Sequence, residues 1–128
     1  MGRYRDATTS NATASGELQV KVARRIEKTL NAAEAPMARL RERETIAGRE
    51  ALDALSAVHR ADASVDVLLY ELLAAVILGG TSTTEVSREV RISPTLLTRH
   101  LPRSLTDLRG RHLRIDRSAP HGWAEATS

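Results

Sequence analysis

Hydrophobic residues recur at helical spacing along the segment 17–61. In its first part they follow one another at four-residue steps, as one face of an α-helix requires: Leu18, Val22, Ile26 and Leu30. Pro36 interrupts the run, because a proline ring clashes with the carbonyl four residues earlier and removes one backbone hydrogen bond. The pattern predicts two helices, 17–33 and 36–60, with a single kinked helix as the alternative.

A heptad repeat of apolar residues also passes through this segment. Its seam is rich in alanine and carries a charge at Glu44, so it is weak as a self-standing coiled coil. Two roles stay open for residues 17–61: they form a homodimer, or they support the rest of the same chain.

The most apolar stretch of the chain follows at residues 65–78. Asp62 and Ser64 are typical of the residues that cap the start of a helix, and Gly79 and Gly80 are typical of its end. Apolar residues occur nearly all round this stretch, which predicts a helix at the centre of the core.

Two short amphipathic segments come next, and they carry the functional prediction. Hydroxyl residues from Thr81 to Thr84 can cap a helix that ends near Val90. Ser93 can cap a second helix, 94–101, with Pro94 at its first position, where the missing N–H costs nothing. Two short helices packed through a few apolar side chains predict a helix-turn-helix with the second helix presented outward.

The outer face of the segment 94–101 is polar. Short hydroxyl side chains bond phosphates or base edges, and arginine is the usual bidentate partner of guanine. We expect Ser93, Thr95, Thr98 and Arg99 to contact bases. We expect the arginines before and after the segment 94–101 to contact phosphates. The complete candidate DNA-binding set is Thr83, Arg88, Arg91, Ser93, Pro94, Thr95, Thr98, Arg99, Arg103, Arg109 and Arg111.

The run Ile92-Ser-Pro-Thr-Leu-Leu-Thr-Arg-His-Leu-Pro102 resembles the recognition helix of the resolvase/invertase DNA-binding domain, a module also used in small phage or plasmid regulators. The resemblance covers about 40 residues and implies a three-helix domain whose third helix enters the major groove with Thr98 and Arg99 at the DNA. Arg91 stands where the family usually has a turn glycine, and Thr98 where it usually has tyrosine. The chain has no counterpart of the recombinase catalytic domain.

The two ends of the chain complete the predicted organisation. Residues 1–16 are rich in small polar residues without apolar periodicity and are expected to form a flexible tail. Ser104 to Asp107 fits a capping box for a short helix that ends at Gly110. Residues 111–117 alternate apolar and basic side chains, which allows a strand on the core, a small wing or an arm along the DNA backbone.

The sequence thus predicts an all-α fold in which long N-terminal helices pack with a three-helix helix-turn-helix domain. A short C-terminal helix and an extended basic tail complete the chain. The predicted parts are a tail (1–16), a long helical segment (17–61), a DNA-binding domain (62–110) and a basic tail (111–128). Composition agrees with this, because 19 Ala and 16 Leu stand beside no Phe and one Trp. Small and unbranched side chains favour close helix packing over a sheet.

The position of the charge sharpens the picture. Residues 1–79 carry 11 basic and 11 acidic side chains, whereas residues 88–117 carry eight arginines against three acidic residues, a net charge of +5. A basic stretch in an otherwise balanced chain is typical of a polyanion binder.

Other chemistry finds little support. The chain has no cysteine, its four histidines lie far apart, and no glycine-rich phosphate loop is present, so neither enzymatic activity nor a metal, cofactor or small-molecule substrate is expected. With no apolar run of spanning length and no signal peptide, no membrane association and a cytoplasmic location are expected.

We therefore predict a sequence-specific double-stranded DNA-binding transcriptional regulator of the repressor type that reads the major groove with the helix 94–101. One alternative is an oligomeric architectural, nucleoid-associated or phage packaging protein that binds DNA with little sequence preference. The other is an interaction module whose long helices bind a partner protein.

Overall fold

The computed structural model describes residues 5–45 and 47–126. Along these residues it contains α1 (Thr9–Arg41), α2 (Gly48–Leu78), α3 (Thr83–Val90), α4 (Pro94–His100), α5 (Arg103–Thr106), β1 (Leu113–Ile115) and β2 (Trp123–Glu125). The predominantly helical character is confirmed. The prediction of an all-α fold is corrected by the two strands, which pair antiparallel in a small sheet.

The first helix begins inside the segment that was expected to be a flexible tail. Thr8 caps α1, since its Oγ1 accepts a hydrogen bond from the backbone N–H of Asn11 at 3.1 Å. The Oδ1 of Asn11 accepts one from the N–H of Thr8 at 3.0 Å. This reciprocal pair is a capping box with asparagine in place of glutamate, so residues 9–16 are the first turns of a helix. Residues 1–4 of the predicted tail lie outside the described residues.

The boundary between the two long helices also differs from the one that the pattern predicted. Helix α1 continues through Pro36, and α2 runs without interruption from Gly48 past Asp62 and Ser64. Instead, α1 ends at Arg41 and α2 begins at Gly48. A capping residue permits a helix to start but does not force one, and alanines beside Asp62 and Ser64 favour continuation.

The chain divides into two units, of which one is the helical hairpin 23–69. We call it the hairpin unit. Its turn is bridged by an ion pair between Arg43 and Glu50, and Arg49 pairs with Asp53 at 3.2 Å. Ala54 and Leu68 are its buried side chains among the described residues.

The other unit comprises residues 5–22 and 70–126 of the described chain, and we call it the head unit. Its core contains Ile77, Leu78, Leu97 and Leu105, all fully buried. The start of α1 and the end of α2 approach so closely that a Cβ on Gly79 would lie 2.4 Å from the Oγ of Ser15. The small residues Ser15 and Gly79 allow the two helices to approach this closely.

The C-terminal residues form a β-hairpin rather than an extended tail. Leu113 pairs with Glu125 and Ile115 with Trp123, and the side chains of Leu113 and Trp123 are buried. Residues 113–115 thus form a strand, in which Leu113 is buried and Ile115 is exposed. No helix among the described residues is both long and apolar enough to cross a membrane.

Candidate nucleic-acid interface

Helices α3 and α4 start with side-chain caps, as the sequence predicted. The Oγ of Ser82 accepts a hydrogen bond from the N–H of Glu85 at 3.1 Å, and the Oγ of Ser93 accepts one from the N–H of Leu96 at 3.2 Å. Pro94 occupies the first turn of α4. These local bonds set both helix starts, which explains why the predicted end near Val90 and the predicted bounds 94–101 agree with the structure within one residue.

The turn between α3 and α4 is held by two features. Arg91 adopts the left-handed conformation, with φ 57° and ψ 39°, at the end of α3. The hydroxyl of Ser87 donates a hydrogen bond to the carbonyl of Ile92 at 2.6 Å, which ties the turn back to α3. Ser87 is half-buried beside this turn.

The side of α4 opposite the core carries polar side chains. Leu97 is fully buried, and a helix turns about 100° per residue, so Thr95 and Arg99 lie nearly opposite it and are exposed. Leu96 and Thr98 flank this pair and are also exposed. The Oγ1 of Thr98 donates to the carbonyl of Pro94 at 2.9 Å. The outer face therefore combines two hydroxyls, one guanidinium and one apolar side chain.

Three further predicted arginines lie near α4 in the chain, and all are exposed: Arg88, Arg91 and Arg103. Arg88 is only 4.0 Å from the carboxylate of Glu89, with both side chains mostly in solvent. Such a pair contributes little. Among the described residues, no carboxylate lies within ion-pair distance of Arg91, Arg99 or Arg103, so their charges are available to a polyanion.

The structure places Arg109 differently from the other candidates. Its guanidinium donates hydrogen bonds to the carbonyls of Ile77 at 3.1 Å, Thr81 at 2.9 Å and Gly80 at 3.1 Å. These carbonyls lie at and just beyond the C-terminus of α2, where carbonyl groups have no N–H partner within the helix. A cation is favourable at that end of a helix, so Arg109 closes α2 rather than extending the exposed basic surface.

Two more candidates, Thr83 and Arg111, are less available to a ligand than the exposed side chains of α4. The Oγ1 of Thr83 is buried and therefore does not point into solvent. Arg111 pairs with Glu125 at 2.6 Å. Arg114 pairs with Asp116 at 3.5 Å in the same β-hairpin, so the hairpin neutralises part of its own charge.

Sequence reasoning missed the residues that anchor this β-hairpin. Asn11 is fully buried, and its Nδ2 donates to the carbonyl of Arg111 at 2.9 Å. Its Oδ1 also accepts from the N–H of Gly110 at 2.8 Å, and the Oγ of Ser10 accepts from the N–H of Leu113 at 2.8 Å. The capping pattern from Thr8 to Asn11 was the available signal in the sequence, although it says nothing of partners about 100 residues away.

A second set of polar contacts fastens the turn of the β-hairpin. The Nε2 of His121 lies 2.9 Å from the Oγ of Ser104, and its Nδ1 lies 3.5 Å from the Oε1 of Glu71. Hydroxyl, imidazole and carboxylate follow in the order of a hydrolase triad. However, 3.5 Å exceeds a normal hydrogen bond, so the imidazole lacks the orienting bond on which such catalysis depends. We interpret the set as a link from the turn to α2 and α5.

No cluster of three metal-ligating side chains occurs among the residues that the structure describes. Comparison with protein-family models, curated proteins and solved structures finds no match to the chain. The geometry of helices α3 and α4 is therefore the basis for a functional proposal.

Proposed function

We propose that this protein binds double-stranded DNA with α4 in the major groove and acts as a sequence-specific transcriptional regulator of the repressor type. The observation that carries the proposal is the outer face of α4, where Thr95 and Arg99 stand opposite the fully buried Leu97. An α-helix with its side chains is about 10–12 Å across, which suits a major groove about 12 Å wide.

The side chains of this face have complementary partners on base edges. Arg99 suits the O6 and N7 acceptors of guanine, and the hydroxyl of Thr95 suits base edges or phosphates. The hydroxyl of Thr98 donates to the carbonyl of Pro94 and therefore suits a base-edge donor. The exposed Leu96 suits the methyl group of thymine. Direct readout needs such a mixture of donors and apolar contact.

Phosphate contacts would come from the exposed arginines that flank α4. Arg88, Arg91 and Arg103 each add salt-dependent affinity by displacing counterions from the DNA backbone. We exclude Arg109 from this set because its guanidinium already bonds the end of α2, and we exclude Thr83 because its hydroxyl is buried.

The test is selection of a binding site from random duplexes, followed by titration of the selected and a scrambled duplex at several salt concentrations. Arg99→Ala should weaken binding to the selected site by about 1–3 kcal/mol and relax the preference at one base pair. Arg60→Ala is the matched control, since it removes the same charge from an exposed position on α2.

The outcome also separates the proposal from its alternatives. Equal wild-type affinity for the selected and scrambled duplexes would reject sequence-specific regulation. If that equal affinity also falls steeply with salt, the architectural or packaging role is favoured. An absence of duplex binding at low salt would reject all of these DNA-binding roles.

A further inference from the structure

The hairpin unit buries too little apolar surface to be complete by itself. Within the described residues 23–69 only Ala54 and Leu68 are buried, and the first of these is a single methyl group. Isolated helices in water depend on the packing of an apolar face rather than on propensity. This pair of helices therefore leaves much of its apolar surface open to solvent.

On each helix, apolar residues extend beyond those that are buried between the two helices. On α1 one row faces α2 and is half-buried, namely Ile26, Ala33 and Leu40. A second row beside it is open to solvent, with Leu30 at 52% exposure and Met37 also exposed. On α2 the same relation holds, with Leu55 (55% exposed) and Val58 beside the buried row of Ala54 and Leu68.

The two open rows lie on one side of the hairpin unit. With about 100° per residue, Leu30 and Met37 lie clockwise from the buried row of α1, viewed from its N-terminus. Leu55 and Val58 lie clockwise from the buried row of α2, viewed in the same way. Because the helices are antiparallel, equal rotations turn both rows to the same side, which we call the apolar face.

A groove between the helices shows which of their sides coincide. Its lining is Pro36, Arg39, Leu40, Arg43, Glu50, Asp53 and Ala54. Arg39 and Arg43 lie anticlockwise from the buried row of α1, and Asp53 lies anticlockwise from that of α2. Since residues of both helices line one groove, the anticlockwise sides coincide and the two open rows lie together on the other side. Exposed Glu27, Glu34 and Asp62 border these rows.

We propose that the apolar face packs against the same face of a second copy of this chain, so that two hairpins form a four-helix bundle. The side of the hairpin unit that carries this face is about 28 Å long over residues 23–41 of α1 and about 20 Å wide across the two helices. Two such faces bury on the order of 1,100 Å², which is above the roughly 1,000 Å² that a specific interface needs. A second copy fits because it has the same length and the same antiparallel rows, as an isologous contact requires.

The test is the mass of the full chain in solution without DNA, measured by light scattering over a range of concentrations. We expect twice the chain mass of 14.0 kDa for the wild type and a single-chain mass for the double variant Leu30→Glu/Leu55→Glu. The matched controls are Leu52→Glu and Val67→Glu, which place the same charge at 61% and 69% exposed positions outside the apolar face. Both should stay dimeric.

Two outcomes overturn the proposal: a wild type of single-chain mass at all concentrations, and a dimer that the double variant leaves intact. Circular dichroism of the double variant checks that its helices persist. A second measurement avoids a buried charge altogether, since the chain has no cysteine. Val58→Cys should be linked between copies by a short bismaleimide and Leu52→Cys should not. A dimer with the reverse pattern also overturns it. Because DNA is absent, the result is independent of the proposed function.

Discussion

Replacement of Arg91 by glycine tests the turn and the DNA contact at once. The left-handed conformation of Arg91 (φ 57°) costs an L-residue about 1–2 kcal/mol, and glycine removes that cost. Glycine in turn loses about 0.5–1 kcal/mol more chain entropy on folding. We therefore expect Arg91→Gly to raise the free energy of unfolding by about 0.5–1 kcal/mol.

The same change should weaken DNA binding, because it removes an exposed guanidinium beside α4. A lost phosphate contact lowers affinity for all duplexes alike and reduces the slope of log K against log salt by about 1. Arg91→Ala separates the two effects, since it removes the charge but keeps a side chain in the left-handed conformation. We expect both variants to lose the same affinity and only the glycine variant to gain stability.

Urea unfolding monitored by the fluorescence of Trp123, the single tryptophan, reports on the head unit. Arg88→Gly serves as a further control, because glycine within α3 should destabilise by about 1 kcal/mol. If Arg91→Gly is no more stable than Arg91→Ala, the strain argument for the turn is wrong. If both bind DNA like the wild type, the phosphate contact assigned to Arg91 is wrong.

Three further predictions concern the packing of the head unit. Asn11→Ala should lower the unfolding free energy by about 2–4 kcal/mol, because it unpairs buried groups at about 1 kcal/mol or more each; a loss below 0.5 kcal/mol in urea titrations would contradict the network. Gly79→Ala should cost about 1–3 kcal/mol through overpacking against Ser15, and Ser15→Gly in the same chain should recover part of that cost in the same assay. Hydrogen bonds from the hydroxyl and amide of Ser118 hold the pKa of Asp116 below its ordinary value of 3.8, so this carboxylate stabilises the turn above that pH and the contribution disappears as pH falls through the lower folded pKa. In an NMR titration, Ser118→Ala, which removes the hydroxyl bond and keeps the amide bond, should move the Asp116 pKa back toward 3.8, and an unchanged pKa would show that the hydroxyl bond is not its cause.

The elements that were predicted correctly are those fixed by local chemistry. The starts of α3 and α4 depend on Ser82 and Ser93, whose hydroxyls bond an N–H three residues later. The end of α2 depends on the two glycines that follow Leu78. In each case the residues that determine the boundary are neighbours in the sequence, so their types and spacing were sufficient.

The errors have a different physical origin. Pro36 and Asp62 are typical of helix boundaries, but α1 continues through Pro36 and α2 through Asp62, where neighbouring alanines favour one continuous helix. Asn11 lies in the segment that the sequence predicts as a flexible tail. It is held in place by hydrogen bonds to carbonyls 97 and 100 residues away. Such partners become visible only when the chain is folded.

The arginines show most directly what folding adds to the sequence. As a count, the eight arginines of residues 88–117 look equivalent, and all contribute to a local charge of +5. Folding gives them unequal roles, since Arg109 closes α2 and Arg111 pairs with Glu125, whereas Arg99 stands exposed on α4. Removing Arg109 should thus reduce stability first and DNA affinity only as a consequence, while removing Arg99 should leave stability within about 0.5 kcal/mol of the wild type. The ratio of these two effects in each variant distinguishes a structural arginine from one that reads DNA.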